Sequence, residues 1–414
     1  MVNDARRIAA HHAELAARDS YGRLLSILAA RTGDIAGAED ALAEALAAAV
    51  AQWPRDGAPA NPIAWLLTVA RRSIGHAAGR RRTAEAAAGA VRLLQDEREA
   101  AVEAPFGDQR LALMFVCAHP AIEIEAQAPL MLQTVLGLDA ARIAASFLVS
   151  SATMGQRLVR AKRKIRDAGI AFAIPEPAEA RTRIGGVLAA VYAAYGTAWE
   201  DVTGADDKLA GLTSEAIWLA RLLGDLLPDD PEVMGLLSLM LHCESRRAAR
   251  RDADGRYVPL HRQDTARWSR EMVREAEALL RRASQHAQPG RFQTEAAIQS
   301  LHAHQRLTGE RFTAPLAGLY DMLASFAPTT GVLVARAVAH AENGDHAAGL
   351  AQLYAIAGAG AYQPWWAAQA RICWLAGDEG AAERAAQTAA GLSNDPSVRR
   401  FLLDGGFREV PAAS

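Results

Sequence analysis

Alanine dominates the apolar positions of this chain, while aromatic and β-branched side chains are sparse. Alanine, leucine, glutamate and arginine give up little conformational freedom in a helix, whereas strands draw on the residue types that are scarce here. The bias constrains nearly every segment to helix, and the expected fold is all-α. At 414 residues the chain has room for two or three domains with sizeable cores. Its 51% hydrophobic and 22% charged content is that of a globular protein rather than a disordered one. The formal net charge of -2 offers no global attraction for nucleic acid, so contact with a polyanion has to rest on local basic patches.

The sharpest such patch runs from Ser150 to Arg166. Met154, Leu158, Ala161 and Ile165 recur at helical spacing to form an apolar stripe, and Ser150 or Ser151 is placed to cap the first free amides. The opposite side carries Thr153, Gln156, Arg157, Arg160 and Lys164, with Arg163 between them. Arginine and lysine neutralise phosphates whatever the sequence, whereas Gln, Thr and Arg also read base edges in the major groove. Lysine occurs only at 162, 164 and 208, two of them here. Upstream, Asp139 is set to cap a short helix, Ala140 to Phe147. Its Ile143, Ala144 and Phe147 are spaced to pack on the stripe, and Leu148 to Ser151 is short enough to be the turn. The pair reads as a DNA-binding helix-turn-helix. The same pattern also describes two ordinary core helices with a solvated basic face.

The segment from Tyr21 to Arg82 has its own logic. Ala38 to Leu46 forms a helix with Leu42, Ala45 and Leu46 on one side and Glu39, Asp40 and Glu44 exposed. Trp53-Pro54 and Asn61-Pro62 punctuate the chain before a further helix, Ile63 to Arg72, continues into Arg80-Arg81-Arg82. Cations beside an aromatic suit strand-separated DNA. Trp53 and Trp65 equally suit a core. Arg80 to Pro105 reads as a linker, and Pro175 with Pro177 as a second break and hinge, beyond which helical patterns run to the end.

These residues carry a family resemblance. The order Ala38-Glu39-Asp40, then Ala64-Trp65-Leu66-Leu67-Thr68-Val69-Ala70-Arg71, the arginine cluster, the linker and the helix-turn-helix resembles a bacterial extracytoplasmic-function sigma factor of the sigma-70 family. Regions two and four follow each other, without regions one and three. From Gln109 to Pro175, with Leu113-Met114-Phe115-Val116-Cys117-Ala118-His119-Pro120 and Ala152 to Arg166, the chain is similar to the subgroup with a long tetratricopeptide-like C-terminal extension. The resemblance spans about Tyr21 to the end. It implies a region-two domain at 1–82, a linker at 83–106, a region-four domain at 107–174, and a helical extension at 181–414. It also implies that Glu39, Asp40, Leu42 and Glu44 face core RNA polymerase, whose clamp and flap hold such factors. Trp65, Arg71, Arg72, His76, Arg80, Arg81 and Arg82 would meet the melted minus-10 promoter element. Thr153, Gln156, Arg157, Arg160, Arg163 and Lys164 would read the minus-35 element. Catalysis then belongs to the polymerase, and this chain is no enzyme. Three positions depart from the family pattern: Ala43 replaces a common Gln, and Arg72 and His76 stand where Asn and Asp are usual. Arginine only donates hydrogen bonds, whereas asparagine both donates and accepts.

In the second half, Asn343-Gly344-Asp345 and Ala376-Gly377-Asp378 stand 33 residues apart, each between an apolar helix and an alanine-rich one. This is the period of tetratricopeptide-like hairpins, placed near 329–391. Trp365, Trp366 and Trp374 are candidates for a partner surface there, or packing anchors. His242-Cys243-Glu244, and Cys117 with His119, lack a second cluster at ligand spacing, and no P-loop or nucleophile elbow is present. Asp252 to Arg256 begins like a calcium loop but lacks the later glutamate, and reads as a turn in a short hairpin with Tyr257 and Val258. No metal or cofactor is expected. Cys117, Cys243 and Cys373 read as buried apolar residues. Met1 to Leu15 lacks a signal-peptide core, and Ile184 to Trp199 is too short and too tyrosine-containing to span a bilayer, so a cytoplasmic protein with no membrane contact is expected. The candidate functions are a sigma factor controlled or supported by its extension, a polymerase-independent helix-turn-helix regulator whose helical half senses a ligand or protein partner, and a scaffold that binds no DNA.

Overall fold

The computed structural model describes residues 20–82, 109–147, 149–200 and 207–409. Every regular element among them is helical, beside one isolated antiparallel bridge between Arg251 and Tyr257, and the fold is all-α as expected. The chain forms two compact units that divide between Leu222 and Leu223. The linker read at 83–106 lies outside the described residues.

The first unit starts with α1 (residues 20–32), α2 (Ile35–Asp56) and α3 (Pro62–Arg82). Ile35, Ala38, Leu42, Ala45, Ala49 and Trp53 recur at helical spacing along α2 and are all buried. The Trp53-Pro54 break predicted from sequence is corrected here: α2 runs through both residues to Asp56, because Trp53 is anchored in the core. The helix stops one residue later, where Gly57 takes a φ of 87° and its N–H caps the Trp53 carbonyl.

The helices α4 (Arg110–Cys117), α5 (Ile124–Thr134), α6 (Ala140–Ser146) and α7 (Ser151–Asp167) follow. With α1–α3 they lie in the first compact unit. A Cβ on Gly22 in α1 would lie 1.7 Å from the Val135 carbonyl oxygen, at the end of α5, so only glycine permits this backbone approach. The Tyr21 ring meanwhile lies against Gly137.

Pro175 and Pro177 do not mark the border of the compact units. Pro177 opens α8 (Pro177–Glu200), which packs on α5 and α4. Ile184, Val187, Leu188, Val191 and Tyr195 are buried at helical spacing, which accounts for the apolar stretch seen in the sequence. From α9 (Asp207–Leu226), Glu215 pairs with Arg110, whose guanidinium also lies 4.1 Å from the centre of the Trp218 ring. The first helix of the extension therefore belongs to the first unit.

The second unit is organised on α10 (Pro231–Ser245), capped by Asp230 and buried along nearly its whole length. It packs against α11 (Arg270–Ser284) and α12 (Arg291–Thr308). Gly235 passes so close to α12 that a Cβ would sit 2.5 Å from the Gln293 nitrogen. Glu232 accepts hydrogen bonds from the Phe292 and Gln293 amides at 2.9 and 3.0 Å, capping α12 from a neighbouring helix. Then come α13 (Thr313–Phe326), α14 (Thr330–Glu342), α15 (His346–Tyr354), α16 (Gln363–Leu375), α17 (Glu379–Leu392) and α18 (Pro396–Leu403), each packed on its sequence neighbour.

The 33-residue period corresponds to the hairpins α14–α15 and α16–α17. Gly344 and Gly377 turn the chain with φ of 96° and 85°, and Asp345 and Asp378 cap the returning helices through the Ala348 and Ala381 amides. Trp365, Trp366 and Trp374 pack against the two buried clusters between these hairpins. The 252–256 segment is a turn in which Asp252 Oδ1 accepts from the Asp254 and Arg256 amides. All three cysteines are free and buried. No helix among the described residues is long and apolar enough to cross a membrane.

Candidate nucleic-acid interface

The helix-turn-helix is assembled by short-range chemistry. Asp139 Oδ1 accepts the Arg142 amide at 2.8 Å to start α6, and Ser150 Oγ accepts the Thr153 amide at 3.1 Å to start α7. Of the two serines read as candidate caps, Ser150 is the one used. Ile143 and Ala144 are buried and Phe147 half-buried, while Leu148 lies outside the described residues. Met154, Leu158, Ala161 and Ile165 are buried, as their spacing predicts. Lys164 and Arg166 occupy the last turn of α7, where cations complement the partial negative charge of the helix end.

The opposite face is open. Thr153, Gln156, Arg160, Arg163 and Lys164 are exposed, and Arg157 is half-buried with Nη1 donating to the Glu125 carbonyl at 3.3 Å. Between this face and the residues leading into α5 lies a groove of about 430 Å³. Arg157, Arg160, Arg163 and Lys164 line it, Glu123 and Asp167 are its carboxylates, and Ala121, Ile122, Ala126 and Ala161 supply apolar surface. Four cations against two carboxylates leave the concavity net positive, which suits a phosphodiester.

Lys162 behaves differently from its basic neighbours. It is buried, and its Nζ lies 2.5 Å from Oε2 of Glu39 on α2. Burial pushes the Glu39 carboxyl above the usual glutamate range, while Lys162 pulls in the other direction. The other oxygen, Oε1, is buried with no hydrogen-bond partner among the described residues. The signal for Lys162 was present in its spacing. Four residues after Leu158 and three before Ile165, it sits on the flank of the apolar stripe rather than on the cationic face.

The four residues expected to face a polymerase all lie on α2, divided between its surface and its buried side. Glu39 is half-buried under Lys162 rather than exposed, and Leu42 is fully buried, so its assignment to a partner surface is corrected: it is a core residue of α2. Asp40 is exposed, and Glu44 is exposed and accepts from the Ser73 hydroxyl. Along α3, Trp65, Arg72 and His76 share one face by helical spacing, with Trp65 half-buried edge-on to Trp53 at 5.4 Å. Arg71 is half-buried on a different side, where burial and then Arg31 lower its guanidinium pKa. α3 continues through Arg80, Arg81 and Arg82, whose side chains lie outside the described residues.

The metal-capable residues noted in the sequence have local partners. His119 Nδ1 accepts the Ala121 amide, and the buried Cys117 thiol faces the Thr134 hydroxyl at 3.7 Å.

A family of unknown function, DUF6596, matches residues 183–284. Over 309 residues the chain is 39% identical to an uncharacterized protein of Rhizobium meliloti (strain 1021), and the match covers 73% of each chain. The chain belongs to the family of that protein. No solved structure matches it. In this family member the DUF6596 segment starts within α8 and ends with α11, so it crosses the division between the two compact units rather than coinciding with either.

Proposed function

We propose that this chain is a bacterial sigma factor of the extracytoplasmic-function type, acting in the cytoplasm. It binds core RNA polymerase and directs it to promoters, α7 reading the minus-35 element and the α2–α3 pair serving the clamp and the melted minus-10 element. The helical second unit controls or supports that activity and offers a protein partner surface, and the polymerase supplies the catalysis.

The observation that carries this reading is the capped helix-turn-helix, whose second helix exposes Thr153, Gln156, Arg160 and Arg163 above a net positive groove. At 17 residues α7 is about 25 Å long, and the major groove admits a helix of this kind. Its cations would set register on phosphates, and its polar side chains would discriminate bases.

The deciding experiment mixes the full-length chain with core RNA polymerase, follows co-elution, and assays transcription from genomic DNA. Co-elution with discrete start sites is expected; neither appearing overturns the proposal. Replacing Arg157 and Arg160 by Ala should weaken the minus-35 footprint and lower the slope of log affinity against log salt by about 2. An unchanged footprint removes these arginines from the interface. One observation favours a polymerase-independent regulator instead: Glu39, assigned to the clamp, is engaged by Lys162 within the chain. Duplex binding by the free chain without any co-elution would select that second reading.

A further inference from the structure

The exposed face of α7 carries one large apolar side chain among its polar and basic residues. Val159 is 61% exposed, on the same side as Gln156 one turn before it and Arg163 one turn after. A β-branched residue is a weak helix former, and its isopropyl group in water gains nothing from burial. A lysine or glutamine there would serve the helix better and would add a phosphate or base contact. What valine offers is a stiff, apolar surface with a strongly preferred χ1, held at a fixed height between two polar side chains.

We propose that Val159 reads the C5-methyl group of a thymine in the major groove. This rests on the reading of α7 as a DNA-recognition helix. The methyl group of thymine is the apolar feature that the four bases display in that groove. Arg163 lies one turn after Val159 and Arg160 next to it towards the middle of the exposed face, and both are exposed. They bring the helix onto the phosphates and bases that flank such a methyl, while Gln156 makes the polar contact to a neighbouring base edge. Val159 thereby fixes one position of the recognised sequence by contact with carbon alone. The 5-methyl group of methylated cytosine stands at the same place, so it presents the same chemistry from a second source.

The test starts by selecting duplexes from a random library with the full-length chain, alone and reconstituted with core RNA polymerase. In the selected duplex each thymine is then replaced by deoxyuridine, which removes only the methyl group. At one thymine the substitution should weaken binding about three- to fourfold, the value of one buried methyl. With Val159→Ala that penalty should vanish, while affinity for the deoxyuridine duplex stays the same. A 5-methylcytosine–guanine pair at that position should bind more tightly than unmethylated cytosine–guanine in the unmodified chain only. The helix itself should survive, because alanine is the better helix former. A selected duplex insensitive to deoxyuridine at every thymine overturns the proposal, as does an equal penalty in the Val159→Ala chain. Failure to select any sequence overturns base reading by α7 as a whole, an outcome distinct from the first two.

Discussion

Two buried ionisable groups set how individual residues respond to substitution and pH. His242, in the middle of the second unit, is 1% exposed, and its Nε2 lies 3.5 Å from Glu277 Oε1. Burial lowers its pKa from 6.5 to about 4, with Glu277 opposing and Arg246 adding to the shift. The fold disfavours the protonated ring, so the stability linked to His242 is complete above pH 6.5 and drains away as pH falls towards 4, by up to about 3 kcal/mol. Thermal melts between pH 7 and 4 should show this loss, and His242→Leu should flatten it. At the other site, Lys162→Ala would leave the half-buried Glu39 without its cation. A destabilisation of about 1–3 kcal/mol is expected in denaturant titrations, and Lys162→Met combined with Glu39→Leu should recover most of it. Because the folded chain raises the Glu39 pKa, the contribution of that carboxyl to stability is present below the ordinary glutamate range and is lost as pH rises through the raised value. A melt of Lys162→Ala that improves with rising pH would contradict this assignment.

At the scale of helices, termini and close approaches govern the outcome. Ser150→Ala removes the cap of α7 and should cost about 1 kcal/mol, read by thermal denaturation, with weaker duplex binding as its companion. Gly235→Ala should cost about 1–3 kcal/mol, because the new methyl meets the α12 backbone at Gln293 rather than a side chain free to move. A neutral effect on stability would mean that α10 and α12 separate easily. These two sites also mark how far the sequence could be read. Caps such as Asp139, Ser150, Asp345 and Asp378 act within three residues of themselves, so the starts of these helices were legible from local pattern. Glu232 caps a helix 60 residues away, and Lys162 finds Glu39 at a separation of 123. Such pairings depend on how helices meet, which periodicity does not encode. The same limit explains Leu42: its spacing placed it on an apolar face, and only the resemblance moved it to a partner surface.

For the molecule as a whole, the first unit extends to Leu222. Cutting the chain after Glu176 removes α8 from α4 and α5, and the apolar faces of those helices lose their cover. That fragment should aggregate or melt well below one that ends at Leu222, as scattering and circular dichroism would show; equal stability of the two would mean that α8 adds nothing to the core. Only the longer fragment is therefore a sound control for testing the proposed function without the second unit. The place of α8 also bears on how such a chain is put together. Since the helix that starts the extension is already part of the core beneath the basic helix, the extension is not a cassette that recombination at the prolines could add or discard without leaving an open seam. Any truncation at Pro175 or Pro177 therefore cuts through the first unit instead of freeing it.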